Sequence, residues 1–124
     1  MTGKTILYVE DNEFNRKIVR QLLAKTSYRL SEAVDGEQGV AAAVAAPPDL
    51  ILMDIQLPKM SGLEATRKLR EDARTSAVPI IVVTSFALSG DEHKAKAAGA
   101  TAYLAKPYSP RELLAKIREI VPEA

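Results

Sequence analysis

Side chains able to do chemistry follow four apolar runs: Glu10-Asp11 after residues 5–9, Asp54 after 49–53, Thr84-Ser85 after 79–83, and Lys106-Pro107 after 101–105. A single carboxylate after a strand is usually a helix cap, and Asp11 and Asn12 both suit that role for the segment that follows them. Acidic, hydroxyl and ammonium groups repeated at the ends of successive runs ask for another explanation. If Glu10, Asp11 and Asp54 are brought together, like charges about 4 Å apart repel by about 4 kcal/mol at an effective dielectric near 20. A cation must balance them. Hard carboxylate oxygens without His or Cys partners select Mg²⁺, which keeps several waters and takes phosphate oxygens readily, and Lys106 adds a second positive charge. A carboxylate beside a divalent cation, a lysine and a hydroxyl has the parts for phosphoryl transfer onto an aspartate. Asp54, at the end of the central run, is the candidate nucleophile, with Glu10 and Asp11 on the metal side. Thr84 is the hydroxyl donor placed to follow a new group carrying about two negative charges.

The elements that must position these residues are readable from periodicity. The four runs are rich in β-branched and apolar residues and read as strands buried on both faces. A weaker segment, 29–33, alternates polar with apolar residues and reads as an edge strand. Between them lie helical patterns. Phe14, Ile18, Val19, Leu22 and Leu23 share one helix face, and Leu113, Leu114, Ile117, Ile120 and Val121 repeat that spacing after Ser109-Pro110, an N-cap and first-turn pair. Val40, Ala43 and Val44 mark a helix before Pro47-Pro48, and Leu63, Ala65, Thr66 and Leu69 another after Ser61-Gly62. The 89–98 segment offers only alanines as an apolar face, so it should be the least firmly packed helix. The pattern is (βα)₅, for which short connections and right-handed crossovers imply a parallel sheet with helices on both faces. Ligands of such sheets sit beyond the carboxyl ends of the strands, at the point where the strand order reverses.

Composition bounds the alternatives. With 124 residues, of which 47% are hydrophobic, the chain is sized for one domain spanning 1–124. It has no cysteine, which excludes disulfides, thiol catalysis and thiolate metal sites. No apolar run approaches the roughly 18 residues that a membrane helix needs, so a cytoplasmic protein without membrane contact is expected. The charge balance of 17 basic against 16 acidic residues leaves no electrostatic footprint for nucleic acid.

At the candidate site the sequence closely resembles the receiver domain of two-component response regulators, through Val9-Glu10-Asp11-Asn12, Leu52-Met53-Asp54-Ile55-Gln56-Leu57-Pro58, Ser61-Gly62, Val83-Thr84 and Lys106-Pro107. The resemblance covers essentially the whole chain. It implies a flavodoxin-like strand order 2-1-3-4-5, and an Asp54 that receives a phosphoryl group from a phosphohistidine on a sensor histidine kinase or a histidine phosphotransfer protein. It also implies Mg²⁺ held by Asp11, Asp54 and the backbone carbonyl of Gln56, with Glu10 helping through water. Thr84 and Tyr103 match a switch pair that changes the affinity of the C-terminal face for a downstream protein. Such a domain catalyses only its own phosphorylation and dephosphorylation. Met1 favours a stand-alone regulator over a receiver excised from a hybrid kinase, and homodimerisation is left open. Phe86 falls where a residue can overhang the pocket.

Rival readings are weaker. A haloacid-dehalogenase hydrolase needs a second Asp where Gln56 stands, and a flavodoxin-like flavin carrier needs a phosphate loop where Glu10-Asp11-Asn12-Glu13 would repel phosphate. His93 lies among Asp91, Glu92, Lys94 and Lys96, the composition of a solvated helix face. Arg67, Lys68 and Arg70 read as another exposed face.

Overall fold

The computed structural model describes residues 3–84, 90–105 and 109–123. Strands β1 (Thr5–Val9), β2 (Arg29–Ala33), β3 (Leu50–Asp54), β4 (Ile80–Thr84) and β5 (Ala102–Ala105) alternate with helices α1 (Glu13–Leu23), α2 (Gly36–Ala45), α3 (Gly62–Glu71), α4 (Asp91–Ala98) and α5 (Pro110–Ile120). Every strand pair is parallel and the order is β2-β1-β3-β4-β5, as expected. Among the described residues no helix is long and apolar enough to cross a membrane.

Alternation along the strands divides the core in two. Ile6, Tyr8, Leu50, Leu52, Ile81 and Val83 face α1 and α5, where Val19, Leu23, Leu113 and Ile117 close over them. Leu7, Val9, Ile51, Met53, Ile80 and Val82 face the other layer and meet Ala43, Ala65, Leu69 and Ala95 of α2, α3 and α4. The three inner strands are therefore apolar at nearly every position. The expectation that the 101–105 run is buried on both faces is corrected: β5 is an edge strand and all four of its residues are only half-buried. Its partner on one side is β4, and among the described residues no strand lies on the other side.

Strands β3 and β4 start one residue later than the apolar runs, so Asp54 and Thr84 are last strand residues and not the first residues of loops. Pro79 has no N–H to give the ladder, and its carbonyl alone joins, accepting from the Ile51 N–H at 3.0 Å. Asp49 turns its carboxylate back to accept the Thr5 N–H at 2.7 Å.

Local caps start the helices where the sequence places them. Asn12, Asp35, Ser61 and Ser109 each accept a backbone N–H three residues on, and Ser109 with Glu112 completes a capping box at α5. Helix α4 differs. It starts after Gly90 with no side-chain cap bond, and its buried apolar residues are Ala95 and Ala98 alone. Its C-terminal end is held by Arg70, whose guanidinium donates to the Gly99 carbonyl at 2.8 Å and the Val78 carbonyl at 2.7 Å. Arg70 is thus a half-buried tie between two loops, not part of an exposed basic face. Gly99 has φ 112, and a Cβ there would come within 2.6 Å of Arg70 Cγ, so both backbone angle and space require glycine.

Candidate phosphoryl-accepting site

Parallel pairing brings the strand ends to one edge. Val9 lies opposite Met53 and Asp54 opposite Val83, so Glu10, just after β1, comes level with Asp54, and Thr84 lies one residue beyond that level on β4, all at one edge of the sheet. Carboxylate oxygens of Glu10, Asp11 and Asp54 all lie within 4.8 Å of one another. Because Asn12 caps α1, Asp11 is left for the cluster. Asp11 is exposed, whereas Glu10 and Asp54 are buried.

Four contacts hold Glu10. The Glu10 N–H donates to the Ala33 carbonyl at 3.0 Å, and its own carbonyl accepts from the Arg16 guanidinium at 2.8 Å. Its carboxylate accepts the Tyr8 hydroxyl at 3.1 Å on one oxygen and the Asn12 N–H at 3.2 Å on the other. On the β3 side, α3 starts directly against the strand end: the Gly62 N–H donates to the Ile55 carbonyl at 2.8 Å. A Cβ on Gly62 would lie 1.8 Å from the Asp54 carbonyl oxygen. Glycine is the residue that lets α3 close over the loop beneath Asp54.

Crowding of carboxylates in a desolvated place shifts their protonation. Asp54 is pushed up to about 7, first by burial and then by the charge of Glu10, with Asp11 adding to the shift and the Ile55 N–H opposing it. Glu10 is also raised, chiefly by burial, while its bonds from Asn12 and Tyr8 pull it back. Without a cation the pocket therefore tends to retain protons. An oxygen-only donor set of this size fits Mg²⁺, a hard ion that prefers carboxylates and water.

The remaining expected site residues are distributed as follows. Gln56 is exposed in the loop after β3. Thr84 is buried at the end of β4. Tyr103 lies opposite Val82, two residues before the level of Thr84, and its half-buried ring packs against the α2–α3–α4 side of the core. Burial first, then the charges of Asp91 and Glu92 in the first turn of α4, raise its phenol. Lys106, Pro107 and Phe86 lie outside the described residues. His93 is exposed on α4 and is not one of the clustered residues. Sequence reasoning overlooked three supports: Tyr8, Arg16 and the closeness of Gly62 to Asp54. Tyr8 was available from β alternation, since residues 8 and 10 share a face, but in an apolar run it read as core.

Comparison with known proteins identifies the family. Residues 6–118 match the family model for the response regulator receiver domain. The chain is similar to the polar-differentiation response regulator DivK of Brucella ovis, at 40% identity over 121 residues, covering 98% of each chain. Among solved structures it is similar to the receiver domain of the sensor histidine kinase PA1611 from Pseudomonas aeruginosa, described with a magnesium ion coordinated in the active site cleft. That match has TM-score 0.88 and 39% identity, covering 96% of this chain and 98% of the other. The chemotaxis protein CheY4 of Vibrio cholerae follows with TM-score 0.87 and 30% identity, covering 95% and 98%. Matched by the family model over residues 6–118 and by these proteins over nearly its full length, the chain belongs to the response regulator receiver domain family of two-component signalling.

Proposed function

We propose that this receiver is a phosphorylation switch in which Asp54 accepts a phosphoryl group from a phosphohistidine of a sensor kinase or phosphotransfer protein. The observation that carries the reading is the buried Asp54 carboxylate at the central strand end, within 4.8 Å of Glu10 and Asp11. Mg²⁺, held by Asp11, Asp54 and the Gln56 carbonyl with Glu10 behind them, would supply positive charge for the phosphoryl oxygens. Asp54 does the covalent step: one of its carboxylate oxygens attacks phosphorus, the O–P bond forms as the donor's N–P bond breaks, and the imidazole keeps the electron pair. Burial keeps Asp54 poor in hydrogen-bonding water, and Gly62 lets the α3 turn seal one side. Lys106 is the proposed counter-charge for the phosphoryl oxygens.

The output runs through α4, β5 and α5. Thr84 follows the new charge at the end of β4, Tyr103 repacks beside α4, and the altered face changes its affinity for a downstream protein, in the cytoplasm. The alanine-only apolar contact of α4 and the lack of a side-chain cap bond at its start support this path, since weakly packed elements are the ones a small local force displaces. The test is incubation with a small phosphodonor and Mg²⁺ followed by peptide mapping. Label on the Asp54 peptide, lost in chelator and in Asp54→Asn, is expected. Unchanged labelling of Asp54→Asn would refute the assignment. Amide exchange should change on phosphorylation in α4, β5 and α5; a change confined to α1 would place the output elsewhere.

A further inference from the structure

We propose that Tyr8 is a positioning residue for the cation-side carboxylate, its hydroxyl holding Glu10 in the orientation that serves Mg²⁺. The inference rests on the reading above, in which Glu10 belongs to the metal side.

Tyr8 and Glu10 are two residues apart on β1, so alternation puts both side chains on the face toward α1 and α5. The Tyr8 ring is a core side chain, 2% exposed, packed in the cluster that includes Val19, Leu23 and Leu113. That packing leaves the ring little freedom, and its hydroxyl is carried to a fixed point 3.1 Å from Glu10 Oε1. The Asn12 N–H occupies Oε2 at 3.2 Å. Each carboxylate oxygen thus has a fixed donor, which sets the plane of the group. A phenylalanine would fill the core equally well. The hydroxyl is what phenylalanine would lack, and it meets the Glu10 carboxylate; a metal-side ligand held by a second group binds more tightly than a loose one.

The test is a double-mutant cycle on Mg²⁺ affinity, read by titration calorimetry with circular dichroism to confirm the fold of each variant. Tyr8→Phe keeps the ring and should raise the Mg²⁺ dissociation constant about tenfold. Glu10→Gln should also weaken binding, and adding Tyr8→Phe to it should cost nothing further. An unchanged dissociation constant in Tyr8→Phe, alongside weakened binding in Glu10→Gln, overturns the role of Tyr8 alone. An unchanged constant in Glu10→Gln overturns the placing of Glu10 on the metal side and the inference with it. Equal losses from Tyr8→Phe in both backgrounds show that the hydroxyl does not act through Glu10. In the unmutated protein the ring carbon bearing the Tyr8 hydroxyl reports the same contact by ¹³C resonance. Its shift should move when Mg²⁺ is added; a shift that stays put counts against the proposal.

Discussion

Replacing Asp54 with asparagine should stabilise the metal-free protein, and by an amount that depends on pH. In the unfolded chain the Asp54 carboxyl loses its proton near its ordinary 3.8, whereas burial and the neighbouring carboxylates hold it in the fold until about 7. Between those values the folded state binds more proton than the unfolded state. Stability therefore falls as pH rises through this window, and the fall is complete above about 7. At 1.36 kcal/mol per pH unit the whole difference has a ceiling of about 4 kcal/mol. Asparagine keeps the side-chain shape but cannot ionise, so it escapes the fall. Relaxation of Glu10 and entry of water reduce the ceiling, and a gain of about 2 kcal/mol is expected at pH 8 in chelator. At pH 5 the folded Asp54 already carries its proton, so the gain should shrink to under about 1 kcal/mol. Urea unfolding of both proteins at the two pH values, with EDTA, measures the four free energies required. Equal gains at pH 5 and pH 8, or a loss at pH 8, would refute the claim that Asp54 is a destabilising buried charge in the empty pocket.

Two further substitutions test how the site is built. Gly62→Ala drives a methyl into the Asp54 carbonyl oxygen, only 1.8 Å from the built position, so α3 must move; a loss of about 3 kcal/mol is expected, read by urea unfolding, and full retention of stability would show that α3 does not seat against β3. Ser109→Ala removes the side chain that caps α5 and one half of its capping box; a loss of about 1 kcal/mol is expected, with Asp54 labelling unchanged because the cap does not touch the acidic cluster.

Much of this protein is written in local pattern. Residues such as Ser109-Pro110, Ser61-Gly62 and Asn12 act on the backbone within one helical turn, so helix starts could be read from the chain alone. The inner strands declare themselves for a similar reason: β1, β3 and β4 are buried on both faces, and burial of both faces removes polar residues from nearly every position. The chemistry-bearing residues were visible too, because Glu10, Asp11 and Asp54 come directly after apolar runs that have no internal need of charge.

What depends on neighbours distant in the chain came only from the fold. The 101–105 run looks like an inner strand, yet β5 lies at the sheet edge, since an apolar composition does not say how many strands will flank it. Arg70 reads as surface until Gly99 and Val78 arrive to receive its guanidinium. The Tyr8 hydroxyl belongs to the core by sequence and to Glu10 by geometry. The elevated Asp54 carboxyl has no counterpart in the isolated segment, because its main cause is desolvation by the packed layers and its second is a carboxylate from another strand. Charge and hydrogen bonding act across distances of a few ångströms in space, and parallel pairing of β1 with β3 brings residues 44 positions apart, such as Ile6 and Leu50, side by side.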